Sequence, residues 1–199
     1  ATAIRKSILS HTDNISCISD NVPSSTHDIL KNYSENMKFG YLNAFEDIIF
    51  YSLVSKNNRE IKKYPLVNEG IENLLRKNIN SGKSINEFIQ SCSTKRYPVT
   101  RIQRLLMHIM LGTDKDIFNK FKRPAYVRVL ASKDKSLLSL ISMNSKIPIV
   151  TSLKKSYDNA DIHMKTLIEF ENKACDIYNM ICLKDRCRYS NEFSIMPKI

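Results

Sequence analysis

The stretch KRYPVTRIQR groups side chains that could hold a nucleic-acid backbone, namely Lys95, Arg96, Tyr97, Arg101 and Arg104. Arg101 and Arg104 lie three residues apart, so they share one face of a helix that we expect to begin near Pro98. The free N–H groups at such a helix start add partial positive charge. A phosphate would therefore meet four cations and a helix terminus together, and the tyrosine could stack on an unpaired base.

A solvated surface is the alternative interpretation of these cations, with Glu87 or Asp114 as their partners. This alternative is weakened because no acidic residue occurs from position 88 to position 113. We therefore predict that this stretch contacts nucleic acid.

The opening letters ATAIRK give a weaker signal of the same kind. A threonine near a helix start and Arg5 one turn later could together hold a phosphate through N–H, hydroxyl and guanidinium groups. A capped surface helix explains the same spacing, and spacing alone favours that simpler interpretation.

A self-sufficient catalytic or metal site is not predicted. The sequence has no glycine-rich phosphate loop, no paired-carboxylate motif and no Ser/His or Cys/His signature. Its five cysteines include no CxxC pair, which argues against a zinc site and a disulfide framework. The residues alone therefore predict no catalytic residue, no metal ligand and no complete enzyme in this chain.

Composition places the chain among globular proteins with a polyanionic partner. The 199 residues carry 31 Lys and Arg against 20 acids, a formal net charge of +11, and 42% are hydrophobic. The positive excess favours nucleic acid as the partner, although a lysine-rich surface alone would give the same total. No apolar run approaches the ~18–20 residues of a membrane span, and no signal peptide is visible, so we expect a cytoplasmic protein without membrane contact.

Hydrophobic periodicity and turn signals predict a mainly α fold. The predicted helices cover residues 1–10, 25–34, 41–56, 67–82, 84–95, 99–112, 114–121, 133–144 and 160–183. A connecting segment is expected at 11–24 and an irregular tail at 185–199. Strands are predicted at 125–131 and 146–153, on either side of one short helix. That order predicts a small βαβ element with two parallel strands and a right-handed crossover.

Three segments together resemble a known family. ATAIRKSI is similar to the ISSTxIR nucleotide-binding motif of the nucleotidyltransferase superfamily, which follows the last strand of a Rossmann-like domain. KRYPVTRIQRLLMHIML resembles the KRYTxTRIQRxLxHILL segment of bacterial tRNA(Met) cytidine acetate ligases. RPAYVRVLA and IPIVTSLKK are similar to the PxYxRVLGFNxxG and PxITKxxK segments of the same family.

The resemblance implies that the chain is the C-terminal half of such a ligase. The N-terminal Rossmann-like catalytic domain, with its T/HxGH adenylation motif, would then be absent from the chain. Residues 1–24 would be a remnant of the nucleotide-binding domain and a linker. Residues 25–199 would form a helical RNA-binding domain, with the βαβ unit near 125–153.

The resemblance also implies an activity for the full-length protein. Family members use ATP and acetate to make an acetyl-adenylate, and they transfer the acetyl group to the wobble cytidine of elongator tRNA(Met). ATP is thus the implied cofactor, Arg5 the ATP-binding residue and tRNA the partner, while this chain alone would not turn over ATP. The runner-up function is a non-catalytic basic helical module that binds an acidic protein, and salt dependence would separate the two.

Overall fold

A computed structural model of the chain describes residues 2–10, 15–36, 38–68, 70–79, 83–183 and 192–197. The α-helices are Thr2–Ser10 (α1), Ser24–Asn36 (α2), Glu46–Val54 (α3), Asn58–Ile61 (α4), Ile71–Ile79 (α5), Ile85–Cys92 (α6), Val99–Leu111 (α7), Lys115–Lys120 (α8), Lys135–Asn144 (α9), Leu153–Asp158 (α10) and Ile162–Cys182 (α11). The strands are Val127–Arg128 (β1) and Ile149–Val150 (β2), and 3-10 helices span Ile15–Asn21, Leu42–Phe45 and Glu192–Ser194.

The largest hydrophobic core of the described residues forms around α7. Along this helix the buried side chains are Ile102, Leu105, Leu106 and Ile109, which lie on one helical face. The helix packs against α3 and α6, which contribute buried residues of their own. Full burial of one such side chain contributes about 1.5–3 kcal/mol. The core therefore fixes the position of the cation-bearing start of α7.

The two ends of α7 have clear local causes. The helix begins at Val99 with Pro98 as its N-cap, which is the start predicted for the helix at 99–112. Pro98 fits there because its φ of −65° is the value that the proline ring enforces. The helix ends at Gly112, whose φ of +72° is left-handed and favours glycine. The predicted stop at Gly112 is confirmed.

The strands pair in parallel, as predicted, with Val127 opposite Ile149 and Arg128 opposite Val150. Each strand nevertheless has two residues, far fewer than the predicted spans at 125–131 and 146–153. Pro148 lacks an N–H group, so the ladder cannot extend through it. On the other side Ser152 caps α10, which ends the second strand.

Several elements differ from their predicted limits. The segment expected to be a simple connection contains the 3-10 helix Ile15–Asn21, because Ile15 and Ile18 pack with Ile8 in a small separate core. Helices α4 and α10 were not predicted, and the predicted helix at 41–56 opens with a 3-10 turn. Residues 11–14 of the expected connection, and residues 184–191 and 198–199 near the chain end, lie outside the described residues.

Candidate nucleic-acid interface

A tight turn at residues 94–97 presents two of the predicted cations. The N–H group of Tyr97 donates to the carbonyl oxygen of Thr94 at 3.1 Å, and the N–H group of Thr94 donates to the carbonyl oxygen of Tyr97 at 3.0 Å. Lys95 and Arg96 occupy the middle of the turn, and both side chains are exposed. The turn thus holds two neighbouring cations at the surface directly before α7.

Tyr97 is buried, with 6% of its surface exposed, and belongs to the main core. Its hydroxyl donates to the carbonyl oxygen of Asn68 at 3.3 Å. The guanidinium carbons of Arg96 and Arg101 lie 5.8 and 5.1 Å from the ring centroid, within cation–π range. In this position the ring anchors the turn, and stacking on a base would require the ring to leave the core.

Arg101 reaches across to the loop at residues 62–68. Its Nη2 donates to the carbonyl oxygen of Leu66 at 3.0 Å and also to Oδ1 of Asn68. Leu66 has a φ of 68°, a left-handed conformation that costs a non-glycine residue of the order of 1–3 kcal/mol. Arg101 therefore stabilises a strained loop, a role that the sequence did not predict.

Arg104 is exposed on the next turn of α7, where its Nε donates to the carbonyl oxygen of Thr100 at 3.3 Å. The nearby His108 ring meets the ring of Phe118 edge-on, with 5.3 Å between centroids. Burial, and secondarily the charge of Arg104, lower the pKa of His108. The histidine is thus neutral near pH 7, so Arg104 supplies the positive charge on this part of the helix.

The two acids considered as partners for these cations serve as helix caps. Glu87 accepts hydrogen bonds from the N–H and Oγ of Ser84, at 2.9 and 2.8 Å, and completes the capping box of α6. Asp114 is the N-cap of α8 and accepts from the N–H of Ile117 at 2.8 Å. Neither acid forms an ion pair with the cation cluster among the contacts of the described residues, which weakens the solvated-surface interpretation.

Arg5 lies in a different place, at the edge of an open groove of about 780 Å³. The walls come from α1, α2, the segment at residues 39–42 and α11, and α7 contributes Gln103. The Arg5 side chain is exposed, and its carbonyl oxygen accepts a hydrogen bond from the hydroxyl of Tyr41 at 3.4 Å. The structure therefore separates Arg5 from the turn at residues 94–97, although α7 reaches both.

Aromatic rings form much of this groove. The ring of Phe39 lies 5.3 Å from that of Tyr33 and 6.2 Å from that of Tyr41, measured between centroids. The hydroxyls of Tyr33 and Tyr178 share a hydrogen bond, and burial together with this bond raises the pKa of Tyr178. Gly40 approaches the ring of Tyr178 so closely that a Cβ would collide with it. The groove thus has a fixed aromatic floor, which no motif in the sequence indicated.

Other reactive groups are few in the described part of the chain. No cluster of three or more His, Cys, Asp or Glu residues there could hold a metal ion. Cys92 is buried, and burial raises the pKa of its thiol to about 11, so it is not a nucleophile at neutral pH. None of the helices within these described ranges combines the length and apolarity needed to cross a membrane.

Comparison with known families places the chain. The model of the HIGH nucleotidyl transferase family matches residues 1–192. The chain belongs to this family.

Among curated relatives, the tRNA(Met) cytidine acetate ligase of Clostridium perfringens is 36% identical across 100% of this chain, which covers 46% of that protein. The corresponding ligase of Acetivibrio thermocellus is 32% identical over 93% of this chain, and 46% of its own length is covered. The chain thus spans about half the length of the relatives that it matches.

Solved structures agree with this placement. A Thermotoga maritima TmcAL structure in its apo form has a TM-score of 0.85 and 25% identity, covering 99% of this chain and 49% of that protein. A second structure of the same protein, bound with alpha-thio ATP, also has a TM-score of 0.85, at 24% identity over 98% of this chain and 50% of that one. The ATP analogue is bound to the Thermotoga maritima protein.

The family match corrects two predictions. The chain was expected to be a C-terminal half, and its fold class was described as a helical domain from which the Rossmann-like nucleotidyltransferase domain is absent. Both statements were wrong, because the match to the nucleotidyltransferase family model begins at residue 1 of this chain and continues through the helical segments to residue 192. The error arose because ATAIRK, a short match to a superfamily motif, was taken to mark the end of the family's domain.

Proposed function

We propose that this chain is part of an ATP-dependent ligase that acetylates the wobble cytidine of elongator tRNA(Met), and that its cations hold the tRNA. Support comes from the family match, from relatives that are tRNA(Met) cytidine acetate ligases and from the arrangement around α7. Since tRNA is found in the cytoplasm, we place the protein there.

The observation that carries this proposal is the supported turn at residues 94–97. Lys95 and Arg96 are exposed at the tip of this turn, while the buried ring of Tyr97 anchors the turn in the core. Prepositioned cations lose less conformational entropy on binding phosphate than cations on a mobile segment. Arg104 extends the charge along α7, and Arg101 adds its charge while it holds the adjacent loop.

The proposal also gives different roles to two parts of the chain. Residues 1–24 would serve the nucleotide, and residues 25–199 would serve the RNA, with the βαβ unit near 125–153 as part of the RNA-binding portion. Two parallel two-residue strands connected by α9 form the centre of that unit. We assign no separate chemistry to it.

Arg5 is the residue we propose for ATP. Its exposed guanidinium at the edge of a groove fits a phosphate, because its forked donors match two phosphate oxygens. ATP supplies the activation of acetate as an acyl-adenylate. The residues of this chain would orient the nucleotide and position the RNA, so that the cytidine amine lies near the activated acyl group with water excluded.

Salt dependence of RNA binding tests the proposal. The affinity of the chain for a tRNA(Met) transcript would be measured at several salt concentrations, alongside its affinity for a polyglutamate peptide. We expect the tRNA affinity to fall by roughly 0.9 log units per log unit of salt for each duplex phosphate contacted. Tight polyglutamate binding with no tRNA binding would instead support a module for an acidic protein partner.

A further inference from the structure

The cation cluster at residues 95–104 contains one aromatic ring, that of Tyr97, and this ring is buried with 6% of its surface exposed. Phe118 on α8, in contrast, has 40% of its surface exposed. Single exposed apolar side chains are normal on protein surfaces. The surroundings of Phe118 therefore decide whether its exposure has a function.

Phe118 lies against the cationic face of α7. Arg101, Arg104 and His108 share this face, because residues three and four apart are neighbours on a helix. The rings of His108 and Phe118 meet at 87°, with 5.3 Å between centroids. A perpendicular contact of this kind covers at most one face of the Phe118 ring. The charge of Arg104 reaches this pair, since it adds to burial, the larger cause, in lowering the pKa of His108.

Hydrogen bonds to the loop at residues 62–68 hold the start of α8 in place. The N–H group of Lys115 donates to the carbonyl oxygen of Lys63 at 2.9 Å, and its Nζ donates to the carbonyl oxygen of Lys62 at 2.9 Å. The same loop accepts the hydrogen bonds of Arg101 from α7. Because one loop binds both helices, α8 has a fixed position relative to the cation cluster.

Further cations follow α8 on an anchored segment. The ring of Phe121 packs against the ring of Phe170 on α11, with 4.8 Å between centroids. Lys122 and Arg123, the next two residues, are exposed. A packed aromatic ring thus stands beside two neighbouring exposed cations, which is also the arrangement of the turn at residues 94–97.

The two acids of this region leave the positive charge in excess. Asp114 directs its carboxylate at the N–H group of Ile117, at 2.8 Å, as the N-cap of α8. Asp116 lies two residues before Phe118, a spacing at which side chains do not face each other on a helix. Cations outnumber acids in the segment at residues 104–123. An anionic strand that passes the Phe118 ring would therefore meet mainly positive charge.

We propose that the surface around Phe118 binds single-stranded RNA, with an unpaired base stacked on the Phe118 ring and neighbouring phosphates on Arg104, Lys122 and Arg123. Aromatic side chains stack on the faces of bases whatever the identity of the base, and paired bases do not offer these faces. This inference rests on the proposed function and extends it, because it names an unpaired base as the RNA feature that is recognised. Cations alone would bind paired and unpaired RNA alike.

Comparison of a looped RNA with a fully paired RNA tests the proposal. The probes are the anticodon-arm hairpin of tRNA(Met) and a blunt RNA duplex with the same number of phosphates. We expect Phe118→Leu to weaken hairpin binding roughly 5- to 150-fold, the range for loss of one base–aromatic stack, and to leave duplex binding nearly unchanged. The slope of log affinity against log salt should remain that of the parent chain, because no phosphate contact is lost.

Three further variants separate stacking from other causes. Phe118→Tyr keeps an aromatic ring and should retain the hairpin affinity of the parent chain. Tyr51→Leu removes a ring that is 73% exposed on α3, and it should also retain this affinity. Lys122→Ala/Arg123→Ala should instead lower the salt slope by about 0.7–0.9 units for each lost phosphate contact.

The possible outcomes distinguish this inference from the proposed function. Hairpin binding by Phe118→Leu with the affinity of the parent chain would overturn the inference and leave the proposed function standing. An equal loss on both probes, with a lower thermal midpoint, would also overturn it, because Phe118 would then support the fold. A parent chain that binds neither RNA would overturn the proposed function together with the inference.

Discussion

The turn at residues 94–97 and the groove beside α1 both present cations, but the protein supports them in different ways. At the turn, the buried ring of Tyr97 and the two backbone hydrogen bonds between Thr94 and Tyr97 fix the backbone that carries Lys95 and Arg96. At the groove, the aromatic walls are fixed, whereas the guanidinium of Arg5 extends from an exposed position on α1. The turn thus presents cations on a fixed backbone, whereas the groove presents fixed aromatic walls beside an exposed cation.

The cations of one sequence stretch can therefore be of two kinds, those that hold the fold and those that are exposed for binding. The guanidinium of Arg101 is hydrogen-bonded to the loop at residues 62–68, so its removal should act first on stability. Lys95 and Arg96 are exposed, so their removal should act first on binding. Substitutions at individual cations can therefore distinguish an effect on stability from an effect on binding.

The largest effect on stability is expected for Arg101→Ala. This change leaves the carbonyl oxygen of Leu66 and the amide of Asn68 without their charged donor. Loss of a hydrogen bond to a charged group costs about 1.5–3 kcal/mol of the free energy of unfolding. Urea denaturation would measure it, with Arg104→Ala as the matched control, for which a cost under ~0.5 kcal/mol is expected. Equal losses in the two variants would mean that Arg101 does not support the loop.

On the groove side, Gly40→Ala should destabilise the protein by about 1–2 kcal/mol, because the new Cβ would collide with the ring of Tyr178. Differential scanning calorimetry of this variant and of Gly40→Ala combined with Tyr178→Leu would measure the effect. If the collision is the cause, the second change should recover part of the loss. A neutral Gly40→Ala variant would show that the floor of the groove is not closely packed.

A smaller effect on stability is expected for Arg5→Ala. The side chain is exposed, and surface substitutions of this kind stay within about 0.5 kcal/mol. Chemical denaturation of the variant and the parent chain would measure the difference. A loss above 1 kcal/mol would contradict an exposed, ligand-facing arginine and would make Arg5 part of the fold.

The smallest expected effect concerns pH. The pKa of His108 is lowered from its ordinary value of 6.5, so the unfolded chain binds more protons than the folded chain just below that value. The free energy of unfolding should therefore fall as the pH drops through this window and recover as the pH rises. Thermal midpoints at about pH 5.5 and 7.5 should differ less in His108→Gln, and Arg104→Ala should weaken the dependence partly, since Arg104 is the lesser cause. An unchanged pH dependence in His108→Gln would show that another group is responsible.

Local signals predicted much of the fold but little of the site. The apolar face of α7 and its stop at Gly112 follow from neighbours within a few residues, and the structure has both. The acceptors of Arg101 lie 35 and 33 residues away, so no local pattern could indicate them. The groove likewise forms from separate segments that come together only in the folded chain. Similarity of short motifs also could not show how far the family extends along the chain.

We propose that Lys95 and Arg96 contact RNA phosphates, while Arg101 supports the neighbouring loop through Leu66 and Asn68. The most direct measurement is the slope of log affinity for tRNA(Met) against log salt for four proteins: the parent chain, Lys95→Ala/Arg96→Ala, Arg101→Ala, and Lys133→Ala/Lys146→Ala as a charge-matched control at exposed positions. We expect the Lys95/Arg96 variant to lose affinity and about 0.7–0.9 units of slope for each lost phosphate contact. Its free energy of unfolding should fall by no more than the ~0.5–1 kcal/mol of the Arg96–Tyr97 cation–π contact. The control should keep the parent slope, and Arg101→Ala should lose stability and affinity with a smaller change in slope. A Lys95/Arg96 variant with the affinity and slope of the parent chain would show that these two cations do not contact the RNA.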